Sequence, residues 1–144
     1  MSTRVAYGIA GLLASVALAG CQAAASAEET LPEMASVETS PDGGPGIVTL
    51  APAAQRRLGM ETTAVEEGPD GLVVPYAALV YATDGSSWVY VELEDGTYQR
   101  AEVKIRHKDG ADLLLESGPQ VGTPVVTVGA PELIGVETGI DGEE

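Results

Sequence analysis

From Gly46 onward the chain is written as short apolar runs cut by turn residues, and no run is long enough for a packed helix bundle. Ile47-Val-Thr-Leu50, Met60 to Val65, Leu72 to Val74, Ala78 to Ala82, Trp88 to Leu93, Leu113 to Glu116, Val125 to Val128 and Leu133 to Val136 each read as strands. Gly, Pro, Asp and Ser punctuation every ~8–12 residues between β-branched runs predicts a small all-β barrel or sandwich. The sharpest local signal is Trp88-Val-Tyr-Val-Glu-Leu93 followed by Asp95-Gly96 and a second run from Thr97 to His107. An Asp-Gly pair between two β-rich runs predicts a hairpin, because glycine supplies the left-handed backbone that a tight turn needs. One short helix is expected over Pro52–Leu58. Proline is tolerated in the first helical turn, and Gly59 stops the helix.

The start of the chain follows different rules. Arg4 gives a positive start, Val5–Leu18 is apolar but broken by Gly8 and Gly11, and Leu18-Ala19-Gly20-Cys21 follows. That run is shorter than the ~20 apolar residues needed to span a bilayer. It predicts a lipoprotein signal peptide over 1–20: small residues let a membrane peptidase reach the backbone, and the Cys21 thiol receives a diacylglycerol. Cys21 is the single cysteine, which excludes an intramolecular disulfide. Residues 21–45, small, acidic and rich in Pro and Gly, are expected to be a lipidated, disordered linker with a reach of ~25–30 Å. The β-domain is expected over 46–140, with an acidic tail over 141–144.

The chain carries 7 Lys and Arg against 22 Asp and Glu, a net charge of −15 that becomes −16 when Arg4 leaves with the signal peptide. Such acidity argues against nucleic acid as a partner and makes anionic headgroups repulsive, so membrane attachment falls to the lipid. The expected location is the cell envelope, on the extracytoplasmic side.

Several segments together resemble a known family. Ile47-Val-Thr-Leu-Ala-Pro-Ala-Ala-Gln-Arg-Arg-Leu-Gly-Met-Glu-Thr-Thr-Ala-Val65 is similar to the opening strand–helix–strand of periplasmic adaptor subunits (membrane fusion proteins) of RND-type efflux pumps. Val74-Pro-Tyr-Ala-Ala-Leu-Val80, Ser86-Ser-Trp-Val-Tyr-Val91 and Gly122-Thr-Pro-Val-Val-Thr-Val-Gly129 resemble the family's membrane-proximal β-domain, in the family's order. Glu116-Ser-Gly118 stands at its characteristic turn, with Pro119 in place of the usual Leu. Val65 meets Leu72 across only six residues, which leaves no room there for the lipoyl-like domain and α-helical hairpin of a full adaptor. The resemblance implies a non-catalytic protein whose β-domain docks on an RND-type or other envelope transporter. The alternative is a free-standing ligand- or metal-binding lipoprotein for uptake or sensing.

The chemistry-bearing residues give no catalytic, cofactor or metal site by pattern. His107 is the only histidine, and no nucleophile elbow surrounds Ser86, Ser87 or Ser117. Asp109, Asp112 and Glu116 lack the spacing of a calcium loop, and Met34 with Met60 is no soft-ligand cluster. The candidate partner contacts are Arg100, Lys104 and Arg106, whose even spacing on one strand predicts a basic stripe. Ala101, Val103 and Ile105 would then point inward. Trp88 and Tyr90, a same-face aromatic pair, are the remaining candidate contacts.

Overall fold

The computed structural model describes residues 33–139. The expected signal peptide over 1–20, the lipidation at Cys21 and the tail over 141–144 lie outside the described residues. The chain runs β1 (Ala35–Glu38), β2 (Ile47–Leu50), α1 (Pro52–Leu58), β3 (Glu61–Ala64), β4 (Glu66–Gly68) and β5 (Gly71–Pro75). A single 3-10 turn over Tyr76–Ala78 leads to β6 (Val80–Tyr81), β7 (Ser87–Glu94), β8 (Thr97–Glu102), β9 (Lys104–Asp109), β10 (Asp112–Ser117), β11 (Pro124–Val128) and α2 (Ala130–Glu137). The fold is all-β in class, as the turn spacing predicts.

Two antiparallel sheets form the body. The larger has the order β1-β2-β8-β7-β11-β3, with β6 also paired to β7, and the smaller has the order β4-β5-β10-β9. The β7–β8 hairpin turns at Asp95-Gly96, where Gly96 sits at φ 78° and its carbonyl accepts the Leu50 amide at 2.8 Å. Period-two alternation then sorts the larger sheet onto two cores. Val89 and Val125 face the smaller sheet and pack with Val65, Val74, Leu113 and Leu115. Tyr90 and Val126, the next residue along each strand, face the other way and pack with Val48, Tyr98 and Leu133. The larger sheet is thus the middle layer, with the smaller sheet on one face and the helices on the other.

Three expectations change. The linker assigned to 21–45 is not wholly linker: β1 lies within it and pairs Ala35 with Leu50 and Glu38 with Ile47. The Ala51 amide donates to the Met34 carbonyl at 3.0 Å, and Met34 and Ala35 pack against the helix-side core. Four residues are too few for alternation to show in sequence, so the strand exists because β2 offers it an edge. The domain accordingly begins upstream of Gly46.

The strand expected over Leu133–Val136 is instead part of α2. Ala130, Leu133, Ile134 and Glu137 recur at helical spacing, and both Ala130 and Leu133 are fully buried. Gly129 at φ 96° precedes the helix, and Pro131 fits its first turn. The third change concerns Thr97–His107, which belongs to two sheets. The chain leaves the larger sheet at Val103, whose side chain is buried between the sheets, and continues as β9 of the smaller one.

Leu133 is the central anchor of α2, with no exposed surface. Leu133→Ala is expected to lower stability by ~2–5 kcal/mol through lost burial and the cavity left behind. Urea unfolding followed by Trp88 fluorescence measures this; an unchanged midpoint would mean that α2 does not pack on the sheet.

Candidate functional site

On the helix-covered face of the larger sheet, alternation brings Trp88 and Tyr90 of β7 to the same side as Tyr98 and Arg100 of β8. Tyr90 stands opposite Arg100 in the hairpin register. The end of α2 closes over them and delivers Glu137. Arg100 Nε lies 2.7 Å from Glu137 Oε2, and the Tyr90 hydroxyl donates to the same oxygen at 2.6 Å. The Glu137 Oε1 atom accepts the Gly46 amide at 3.1 Å. The Arg100 Nε–H is not aligned for a hydrogen bond, so its contact with Glu137 is an ion pair only. Both side chains are mostly withdrawn from solvent, at 16% and 6% exposure, which strengthens the pairing and makes loss of either partner costly.

Next to this cluster the Asp84-Gly85-Ser86 turn folds back on itself. Asp84 Oδ1 accepts both the Ser86 amide at 2.9 Å and the Ser86 hydroxyl at 2.5 Å. Ser86 Oγ in turn accepts the Trp88 indole N–H at 2.6 Å. The Ser86 side-chain and backbone hydrogen bonds hold the Asp84 carboxyl below the usual carboxylate range, with the positive charge of Arg100 a smaller cause. The Arg100 guanidinium carbon lies 4.9 Å from the Trp88 ring centroid, a cation–π stack that joins the two networks. Of these residues Asp84, Ser86, Trp88 and Arg100 line an open cavity of about 500 Å³, with Tyr81 and Ile134 among the others; Tyr90 and Glu137 lie behind it.

The sequence-predicted contacts therefore separate. Arg100, Trp88 and Tyr90 converge on this cavity face, but Tyr90 is fully buried and cannot touch a partner. Its hydroxyl serves to position Glu137. Arg100 does not share a stripe with Lys104 and Arg106, because the change of sheet at Val103 puts it on the middle layer, facing α2. Lys104 and Arg106 lie exposed on β9, the outer edge of the smaller sheet. Lys108 joins them on that strand and stacks over Tyr76, its Nζ 4.1 Å from the ring centroid.

His107 is also on β9, within the strand rather than at its end, and is exposed. Ala101 and Ile105 pack with Val103 toward the inter-sheet core. Met34 and Met60 both pack against the helix-side core. Among the described residues no three His, Cys, Asp or Glu side chains gather in a way that could hold a metal ion.

Glu137 and Asp84 carry the site's chemistry, and the sequence pattern singles out neither for it. Glu137 follows an apolar segment that reads as a strand, so its burial emerges only once that segment is helical. Asp84 has a local signal, since an aspartate two residues before a serine favours a side-chain-capped turn. That signal marks a turn and says nothing of a cavity. Compared with known proteins, the chain matches no family model and no curated protein.

Burial raises the Tyr90 phenol well above its ordinary value of 10.0, and the hydrogen bond to the Glu137 carboxylate and its negative charge push the same way. Burial, with the negative charges of Glu92 and Asp95, pushes Tyr98 up to about 12. In the unfolded chain both phenols ionise near pH 10. Between that pH and the folded values the folded protein keeps protons that the unfolded chain gives up. Stability from this source is complete below pH ~10 and is lost as pH rises, for Tyr98 up to about 12. Urea midpoints should fall steadily from pH 10 to 11.5, and Tyr90→Phe should reduce that fall while costing ~1 kcal/mol at neutral pH. A variant with the parent's alkaline profile would remove Tyr90 from this account.

Proposed function

We propose that this protein is a non-catalytic, lipid-anchored envelope protein, akin to the membrane-proximal part of an efflux-pump periplasmic adaptor, that docks on a membrane transporter. The observation that carries the reading is β9. Three of the chain's seven Lys and Arg residues, Lys104, Arg106 and Lys108, stand on this one exposed edge strand of a protein with net charge −15. Among the described residues none of the three makes an ion pair. A β-bulge near Arg106 splits these cations between the two faces of β9, so the edge as a whole, rather than one face, is basic on a strongly acidic body, and such an edge orients association. An acidic partner is repelled by the rest of the surface and attracted here, which sets register and on-rate. Charged edges also protect sheets from unwanted strand pairing, and the two roles are compatible. Tyr76, 45% exposed beneath Lys108, adds an aromatic of the kind enriched at interfaces.

The partner's matching feature is an acidic extracytoplasmic surface next to the membrane. The order of the sequence segments supports the adaptor likeness, and the lipobox at Cys21 supports the position beside a bilayer. A second reading, a free-standing ligand-binding lipoprotein, is favoured by the cavity beside Arg100.

Cross-linking in intact membranes tests docking. The full chain is expected to recover a transporter subunit. Replacing Lys104, Arg106 and Lys108 together by Glu should lower that yield at least ~10-fold and remove its dependence on salt. Equal recovery by the reversed variant would exclude β9 as the docking edge, and recovery of no transporter would exclude the docking role.

A further inference from the structure

The cavity on the α2 face holds two opposite charges that the fold leaves partly unspent. Asp84 uses one carboxylate oxygen, Oδ1, for both Ser86 donors, and Oδ2 has no partner among the described residues. Arg100 engages Glu137 only through Nε, and its two terminal guanidinium nitrogens make no hydrogen bond among the described residues. The two side chains border the same cavity, yet they do not form an ion pair with each other. Both are held in place: Asp84 by its serine, and Arg100 by Glu137 below and the Trp88 ring beside it. Tyr81, Trp88 and Ile134 add apolar and aromatic surface to the lining, beside the hydroxyls of Thr83 and Thr138.

We infer that this cavity binds a short peptide with free termini: its ammonium on Asp84, its carboxylate on the Arg100 guanidinium, and its apolar side chains against Tyr81 and Ile134. Each alternative class engages only one of the two groups. A simple anion would take the open terminal donors of Arg100 but face the Asp84 carboxylate, and a simple cation would take Asp84 but leave those donors unused. A zwitterion satisfies both at once. Because Asp84 and Arg100 do not contact each other, the ligand must span the space between them, and the cavity is larger than a single amino acid fills. A volume of about 500 Å³ lies within the range of small-ligand sites and admits two or three residues. The terminal nitrogens of Arg100 suit a carboxylate because the guanidinium offers two parallel donors.

This site is independent of docking through β9. The cavity lies on the helix-covered face of the middle sheet, whereas β9 is the edge of the other sheet. Either proposal can fail without the other.

Isothermal titration of the full chain in detergent with dileucine tests the inference, alongside N-acetyl-dileucine, which lacks the ammonium, and dileucine amide, which lacks the carboxylate. Dileucine is expected to bind, with each blocked form at least ~10-fold weaker, equivalent to one charge-assisted contact. Asp84→Asn, a change at an exposed turn that leaves the Glu137 cluster intact, should abolish the preference over the N-acetyl form but keep the preference over the amide. Failure of dileucine to bind at up to about 10 mM, or equal binding of the N-acetyl form, overturns the proposal. So does an Asp84→Asn variant that still discriminates against the N-acetyl form.

Discussion

Burial of the middle sheet on both faces is the constraint from which the rest of this structure follows. On β7, Val89 and Tyr90 are both fully buried although they point in opposite directions, and Val125 and Val126 do the same on β11. A strand covered on both sides needs two covers. The smaller sheet supplies one, and α1 and α2 supply the other. With no phenylalanine in the chain, valine, leucine and two buried tyrosines fill the layers. Tyrosine brings a hydroxyl into the interior, and each such group needs a partner or costs stability.

Glu137 meets that need for Tyr90. It also neutralises Arg100 and accepts the Gly46 amide, so one carboxylate at the end of α2 ties this helix to the hairpin and to the loop before β2. The arrangement leaves Arg100 charge-compensated at Nε but open at its far end, beside the Trp88 ring. The same contact that locks the helix to the sheet therefore also presents a rigid guanidinium to a cavity. Preorganisation of this kind favours binding, because the side chain has already given up its rotamer freedom on folding.

Most of the strands were legible in sequence because their pattern is local. The β7–β8 hairpin is announced by Asp95-Gly96, α1 by Pro52 and Gly59, and β11 by its valine run. The errors share a cause. Leu133-Ile-Gly-Val136 is an apolar run whose period cannot be judged over four residues; only the spacing of Ala130, Leu133 and Glu137 against a sheet already in place makes it a helix. Ala35–Glu38 carries no signature of its own and is a strand because β2 has a free edge. Arg100, Lys104 and Arg106 have the spacing of one stripe, yet burial of Val103 between the layers divides them between two sheets.

The amino-acid sequence by itself determined the class of the fold, the position of its tightest turns and the acidic character of the chain, since each depends on composition or on residue types within a few positions of one another. Tertiary structure alone decided which face each side chain occupies and which distant groups meet. Glu137 lies 47 positions from Tyr90 and 91 from Gly46. Contacts at such separations depend on how the layers stack, and the physical reason is that a carboxylate becomes an anchor only when packing removes it from water beside the cation and donors that compensate it.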